Sequence, residues 1–132
     1  SKIALSEIRA GLSPTPLLLK RLDFLCSDRR VFKNMVLRGQ SIRAEEALAA
    51  GLVDEVVPQT DVMSHAERQS LKLARLSPSA YAAIKRSINK PFLDTRLWRT
   101  SLTEFRGLFK TKSAQEGLSA LRDKRRPLWD VL

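Results

Sequence analysis

The sequence predicts a mainly α chain with two short β-strands, and three observations carry that expectation. The composition is that of a soluble globular protein, with 43% hydrophobic and 29% charged residues. It is rich in Ala, Leu and Arg and has only five Gly, which favours helix. Apolar residues recur at three- and four-residue steps over Thr95–Lys110, where Leu97, Trp98, Leu102, Phe105, Leu108 and Phe109 fall on one helical face. The stretch GQSIRAEEALAAGLVDEVVP, Gly39–Pro58, reads as a turn, a short amphipathic helix, a Gly stop and a buried strand.

The elements follow in order. Ile3–Leu5 is a short apolar run that suits the end of a strand. Gly11, Pro14 and Pro16 break regularity, so residues 9–16 are expected to form a loop or distorted turn. Leu17–Phe24 suits a short helix. Ser27 or Asp28 can cap the next one, Arg29–Leu37, with Val31, Phe32, Met35 and Val36 as its apolar face and Gly39 as its stop. Ala44–Ala50 is a further short helix closed by Gly51, and Val53–Val57 is expected as the second strand, ended by Pro58.

Beyond Pro58 the chain reads as helical. Asp61–Leu76 is one helix. Ser77-Pro78 opens the next, with Ser as N-cap and Pro at the first position, where a missing N–H is harmless. Its Tyr81, Ile84 and Ile88 share a face, and Pro91 ends it. Trp98, Phe105 and Phe109 are expected in a core or an oligomer interface. Ser113 and Glu116 have capping-box spacing for a last helix. Gly117 lies inside that helix, where Gly costs about 1 kcal/mol against Ala, so a close helix approach is expected there.

Several functional classes lose support. One cysteine, Cys26, allows neither an internal disulfide nor a cysteine-based metal site, and it reads as a small apolar residue in a reducing, cytoplasmic setting. His65 is the one histidine, which leaves a His-based triad or zinc site little support. No apolar run is long enough to span a membrane, and no signal peptide is expected.

Charge is unevenly placed. Residues 1–64 hold nine Lys and Arg against eight Asp and Glu, whereas residues 65–132 hold fifteen against six. The excess suits a polyanionic or phosphorylated partner, or simply a set of solvated helix faces. There is no helix-turn-helix and no interleaving of aromatics with the basic residues, so the charge does not argue for nucleic acid.

Five segments in order carry a family resemblance: LSEIRAGLSP, KRL, VLRGQSIRAEEALAAGLVDEVVP, LARLSPSAYAAIKRSI and SAQEGLSALRDKRRPLW. From Ile3 to about Trp129 the chain resembles the C-terminal half of the crotonase superfamily, the enoyl-CoA hydratases and isomerases. The resemblance implies a spiral of ββα turns followed by a helical region that mediates trimer formation. Residues 1–58 would be the remnant of the last spiral turn, and residues 59–132 the helical oligomerisation region. It implies an acyl-CoA thioester as substrate, no covalently bound cofactor, and an oxyanion hole whose two N–H donors come from an N-terminal half outside this chain.

The resemblance also assigns residues. Hydratases use two carboxylates to activate one water. The second follows a strand-end motif matched here by Leu5-Ser6-Glu7, which implies Glu7 as the catalytic acid or base. A plain helix-start carboxylate is the alternative. Lys124 matches a basic position near the CoA adenine and 3′-phosphate, within the cluster Lys124-Arg125-Arg126, and a solvated tail is the alternative there.

One departure stands out. Hydratases usually carry paired glycines after the proline matched by Pro14, whereas this chain has Thr15-Pro16-Leu17-Leu18-Leu19. That should make the pocket more apolar and leaves room for isomerase, decarboxylase or dehydratase chemistry. Two further readings compete with the enzyme: a catalytically silent oligomerisation or CoA-binding module, and a basic nucleic-acid binder. The isolated chain is expected to be inactive and to self-associate through its apolar helix faces or to pair with a missing half.

Overall fold

The computed structural model describes residues 1–129. Seven α-helices and two two-residue strands make up its regular α and β structure. The strands β1 (Lys2–Ile3) and β2 (Ile42–Arg43) pair antiparallel, with Lys2 opposite Arg43 and Ile3 opposite Ile42. The helices are α1 (Pro16–Leu25), α2 (Arg29–Arg38), α3 (Ala44–Ala49), α4 (Val62–Ala74), α5 (Pro78–Asn89), α6 (Thr95–Leu108) and α7 (Lys112–Arg122). Single 3-10 turns lie at Glu7–Ala10, Gln59–Asp61 and Lys90–Phe92.

The second strand is not where the sequence places it. Val53–Val57 joins no ladder, and the partner of β1 is the pair of residues just before α3. An apolar run reports burial, and it does not choose a ladder partner. Val53 packs on the core cluster of Met35, Ile42 and Ala47. Glu55 is held by α4, where His65 contacts it and Gln69 donates to its Oε1 at 2.7 Å.

Helix starts follow local chemistry. Pro16 opens α1, and the Thr15 hydroxyl accepts from the Leu18 N–H at 3.3 Å. A second free donor at that end, the Leu17 N–H, reaches the Ser101 hydroxyl of α6 at 3.1 Å. Ser101 is only 1% exposed, so the acceptor of this part-buried bond is held away from solvent. Asp28 caps α2 by accepting from the Arg30 and Val31 N–H groups at 2.8 and 3.2 Å. Those bonds, the one from Val31 first, hold its carboxyl below the usual carboxylate range.

The last helix departs from the expected cap. Thr111, not Ser113, caps α7 by accepting from the Ala114 N–H at 3.2 Å. Glu116 is engaged elsewhere, by Arg125, whose paired donors outcompete a single backbone N–H. Gly117 makes the close approach its sequence context predicts, but against the 3-10 turn at Glu7–Ala10 and not against another helix. A methyl on Gly117 would lie 2.2 Å from the Ala10 carbonyl oxygen, and one on Gly11 would lie 2.3 Å from the Ser113 carbonyl oxygen. Two glycines thus let the turn and α7 touch backbone to backbone.

Among the described residues, the apolar faces of several helices stay exposed. Helices α4 and α5 bury no residue fully. Trp98 is 50% exposed and Met63 72%. Phe105 and Phe109 pack edge to face at 5.0 Å, yet Phe109 stays exposed. Of the two placements expected for Trp98, Phe105 and Phe109, a core or an oligomer interface, the described residues do not supply a closed core around Trp98.

Candidate functional site

Glu7 heads its 3-10 turn directly after Ser6, and Gly11 closes the turn in the left-handed region at φ 67°. Half-buried, Glu7 lines a cleft of about 580 Å3 between that turn and the end of α7. Arg9, Leu118, Leu121, Arg125 and Arg126 also line it. The Glu7 Oε2 atom is buried without a hydrogen-bond partner among the described residues. A buried carboxylate oxygen with no donor is costly and uncommon, and it is the form expected of a group that meets a substrate or water.

The other wall is the C-terminal segment, fixed by one carboxylate. Arg125 donates from Nη1 and Nη2 to the two Glu116 oxygens at 2.6 and 3.0 Å. The Leu128 N–H donates to the same carboxylate at 2.8 Å. The Arg125 guanidinium, followed by the Leu128 N–H, pulls the Glu116 carboxyl down to about 2. Asp123 is also held below its usual range, first by Arg122.

Lys124 sits on this clamp, exposed, with φ at 53°; it is the one non-glycine residue with positive φ among those described. The Arg125 N–H donates to the Ala120 carbonyl at 3.0 Å and the Lys124 N–H to Leu121 at 3.3 Å. That is a Schellman motif with Lys in the place usually taken by Gly. A left-handed lysine costs roughly 1–2 kcal/mol, and such strain concentrates at functional positions.

The structure thus brings Glu7 together with Arg125 and Arg126 in one cleft. Lys124, between α7 and those arginines, does not line it. The Glu116–Arg125 clamp escaped sequence reasoning because the pair is nine residues apart and spans a helix end, outside the three- and four-residue rule. The signal that could have found it is a Schellman turn without its glycine. Of the three leucines expected to make the pocket more apolar, Leu17 and Leu18 line a different cleft with Arg21 and Trp98, and Leu19 lines neither cleft. Cys26 is buried and its thiol points to the Asp28 carbonyl at 3.2 Å, the placement of a structural thiol. Among the described residues no His, Cys, Asp and Glu cluster could hold a metal ion, and no helix is long and apolar enough to cross a membrane.

Comparison with known proteins places the chain in a family. The family profile described as enoyl-CoA hydratase/isomerase matches residues 1–131. The chain is 32% identical over 131 residues to 2,3-dehydroadipyl-CoA hydratase of Escherichia coli, covering 96% of this chain and 50% of that protein. It is 36% identical over 104 residues to enoyl-CoA hydratase domain-containing protein 3, mitochondrial, of Rattus norvegicus, covering 76% of this chain and 34% of that protein. Its fold matches the crystal structure of carnitinyl-CoA hydratase from Mycobacterium avium with a TM-score of 0.86 at 28% identity, over 99% of this chain and 52% of that one. The chain spans about half the length of the curated relatives it matches across its length. On this basis the chain belongs to the enoyl-CoA hydratase/isomerase family.

Proposed function

We propose that this chain forms the C-terminal portion of an acyl-CoA-processing site, in which Glu7 is the acid or base and Lys124 holds the phosphate end of coenzyme A. The observation that carries the reading is the buried, unpartnered Glu7 oxygen facing a cleft whose other wall is basic. A carboxylate so placed can exchange a proton with a substrate carbon or a bound water. Arg125 is occupied by Glu116, whereas Lys124 and Arg126 are exposed and form no ion pair among the described residues, so both are available to a phosphate; Lys124 is the one at the family-matched position.

The chemistry also needs donors aimed at the thioester oxygen, because a developing enolate is stabilised chiefly by preorganised N–H groups. By family resemblance those donors lie in residues preceding this segment in its relatives. Turnover therefore requires that second half, and the 132-residue chain alone is silent. The exposed faces of α4, α5 and α6 fit residues 59–132 as an oligomerisation region, with a trimer as the expected state and a reducing, cytoplasmic setting for the buried thiol.

The direct test is an assay of the purified chain with crotonyl-CoA and other acyl-CoA thioesters. Silence is expected, and turnover by the chain alone would overturn the division of labour. Sedimentation should show species heavier than 14.9 kDa at micromolar concentration; a monomer only would count against the oligomerisation surface.

A further inference from the structure

A second cleft, of about 570 Å3, opens between α1, α5 and α6. It shares no lining residue with the cleft at Glu7. Its volume suits a small molecule. Three cations line it, Arg21, Lys85 and Arg86, and no carboxylate does. None of the three forms an ion pair among the described residues.

Arg21 is the central group. Its guanidinium lies 4.6 Å from the centre of the Phe92 ring and 5.8 Å from that of Phe24. Stacking of this kind fixes the plane of the fork and leaves its edge for an acceptor. Its Nη1 is buried and has no hydrogen-bond partner among the described residues. Native structures rarely leave a charged buried donor without an acceptor. Leu17, Leu18, Leu93 and Trp98 give the cleft an apolar wall, and Thr15 and Asn89 are its uncharged polar lining.

We propose that this cleft binds an amphipathic anion, with a carboxylate or phosphate head at Arg21, Lys85 and Arg86 and an apolar chain along the leucines and Trp98. Opposite charge supplies the head contact, and the apolar wall selects against bare inorganic ions. The site stands on its own residues and does not depend on the role given to Glu7 or Lys124.

The test uses the 132-residue chain carrying Trp129→Phe, so that Trp98 is the one remaining indole. Its fluorescence is titrated with decanoate, decyl phosphate, decanol and inorganic phosphate, with each amphiphile below its micelle threshold. A saturable change with decanoate or decyl phosphate is expected, at least tenfold tighter than with decanol or inorganic phosphate; the tighter of the two anions identifies the head. Arg21 also stacks on Phe92, so the rim variants Arg86→Gln and Lys85→Gln carry the mutational arm, with a thermal melt to confirm folding. Each should weaken binding about tenfold, the effect of losing one charge-assisted bond. Decanol binding as tightly as the anions, equal affinity in folded rim variants, or no saturable change would each overturn the proposal.

Discussion

Gly117 of α7 lies against the carbonyl of Ala10 so closely that an added methyl would come within 2.2 Å of that oxygen. This contact joins the C-terminal helix to the turn that carries Glu7, and it sets the relation between the two walls of the candidate site. Gly117→Ala is therefore expected to destabilise the chain by about 1–3 kcal/mol through overpacking, despite the helix-propensity gain. Gly107 is the control. It lies inside α6 with nothing within 4 Å of an added methyl. Gly107→Ala should stabilise by about 0.5–1 kcal/mol. Urea unfolding of the two variants checks both signs.

Ser101 is the second long-range tie. Its hydroxyl accepts from the Leu17 N–H across 84 positions of sequence at 3.1 Å. Ser101→Ala leaves that N–H without its partner in a part-buried contact, at a cost of about 1 kcal/mol. The exchange rate of the Leu17 amide should rise in the variant. Unchanged stability together with unchanged exchange would show that the bond contributes nothing.

The Glu116 clamp gives a pH dependence. Its carboxyl is lowered to about 2 from an ordinary value of 4.5, mainly by Arg125. A lowered folded-state value means that the contribution is fully present above about pH 4.5. It is lost progressively as pH falls from there through about 2. Stability of the native chain should therefore fall over that window, and Glu116→Gln should flatten that part of the profile. Asp28 and Asp123 are lowered too, so the difference between variant and parent isolates Glu116.

Lys124 carries a trade between stability and binding. Its φ of 53° is a conformation that Gly adopts freely and Lys does not. Lys124→Gly is expected to raise stability by about 1 kcal/mol and to weaken CoA binding. Lys124→Ala should weaken binding alike and bring no stability gain. Thermal melts beside binding measurements separate the two effects; a Gly variant that gains no stability would remove the strain argument.

Much of the helical order was legible, because caps and stops are local. Asp28 and Ser77 accept from backbone N–H groups at the starts of their helices, and Gly39 and Gly51 end theirs with positive φ, whereas the Thr15 cap was not legible because residues 9–16 read as a loop. Ladder pairing was not legible. Two-residue strands leave almost no periodic signal, and the apolar run at Val53–Val57 looks like a strand while serving as a packed, irregular segment. The motif singled out Glu7 as a candidate, whereas nothing local in the sequence shows its meeting with Arg125 and Arg126 in one cleft. That meeting depends on the Gly117–Ala10 contact and on a carboxylate that crosses a helix end. The Ser113–Glu116 spacing misled for the same reason, since Arg125 offers Glu116 two donors where a cap offers one.

The central claim is that the chain retains the phosphate end of a coenzyme A site on Lys124. Calorimetric titration of the chain with CoA and acetyl-CoA at two salt concentrations tests it most directly, with Lys124→Ala and Glu7→Gln alongside. The account predicts saturable binding that weakens with salt, falls about tenfold in Lys124→Ala and is unchanged in Glu7→Gln. No heat of binding, or equal affinity in Lys124→Ala, would contradict it and leave the fold as an assembly module.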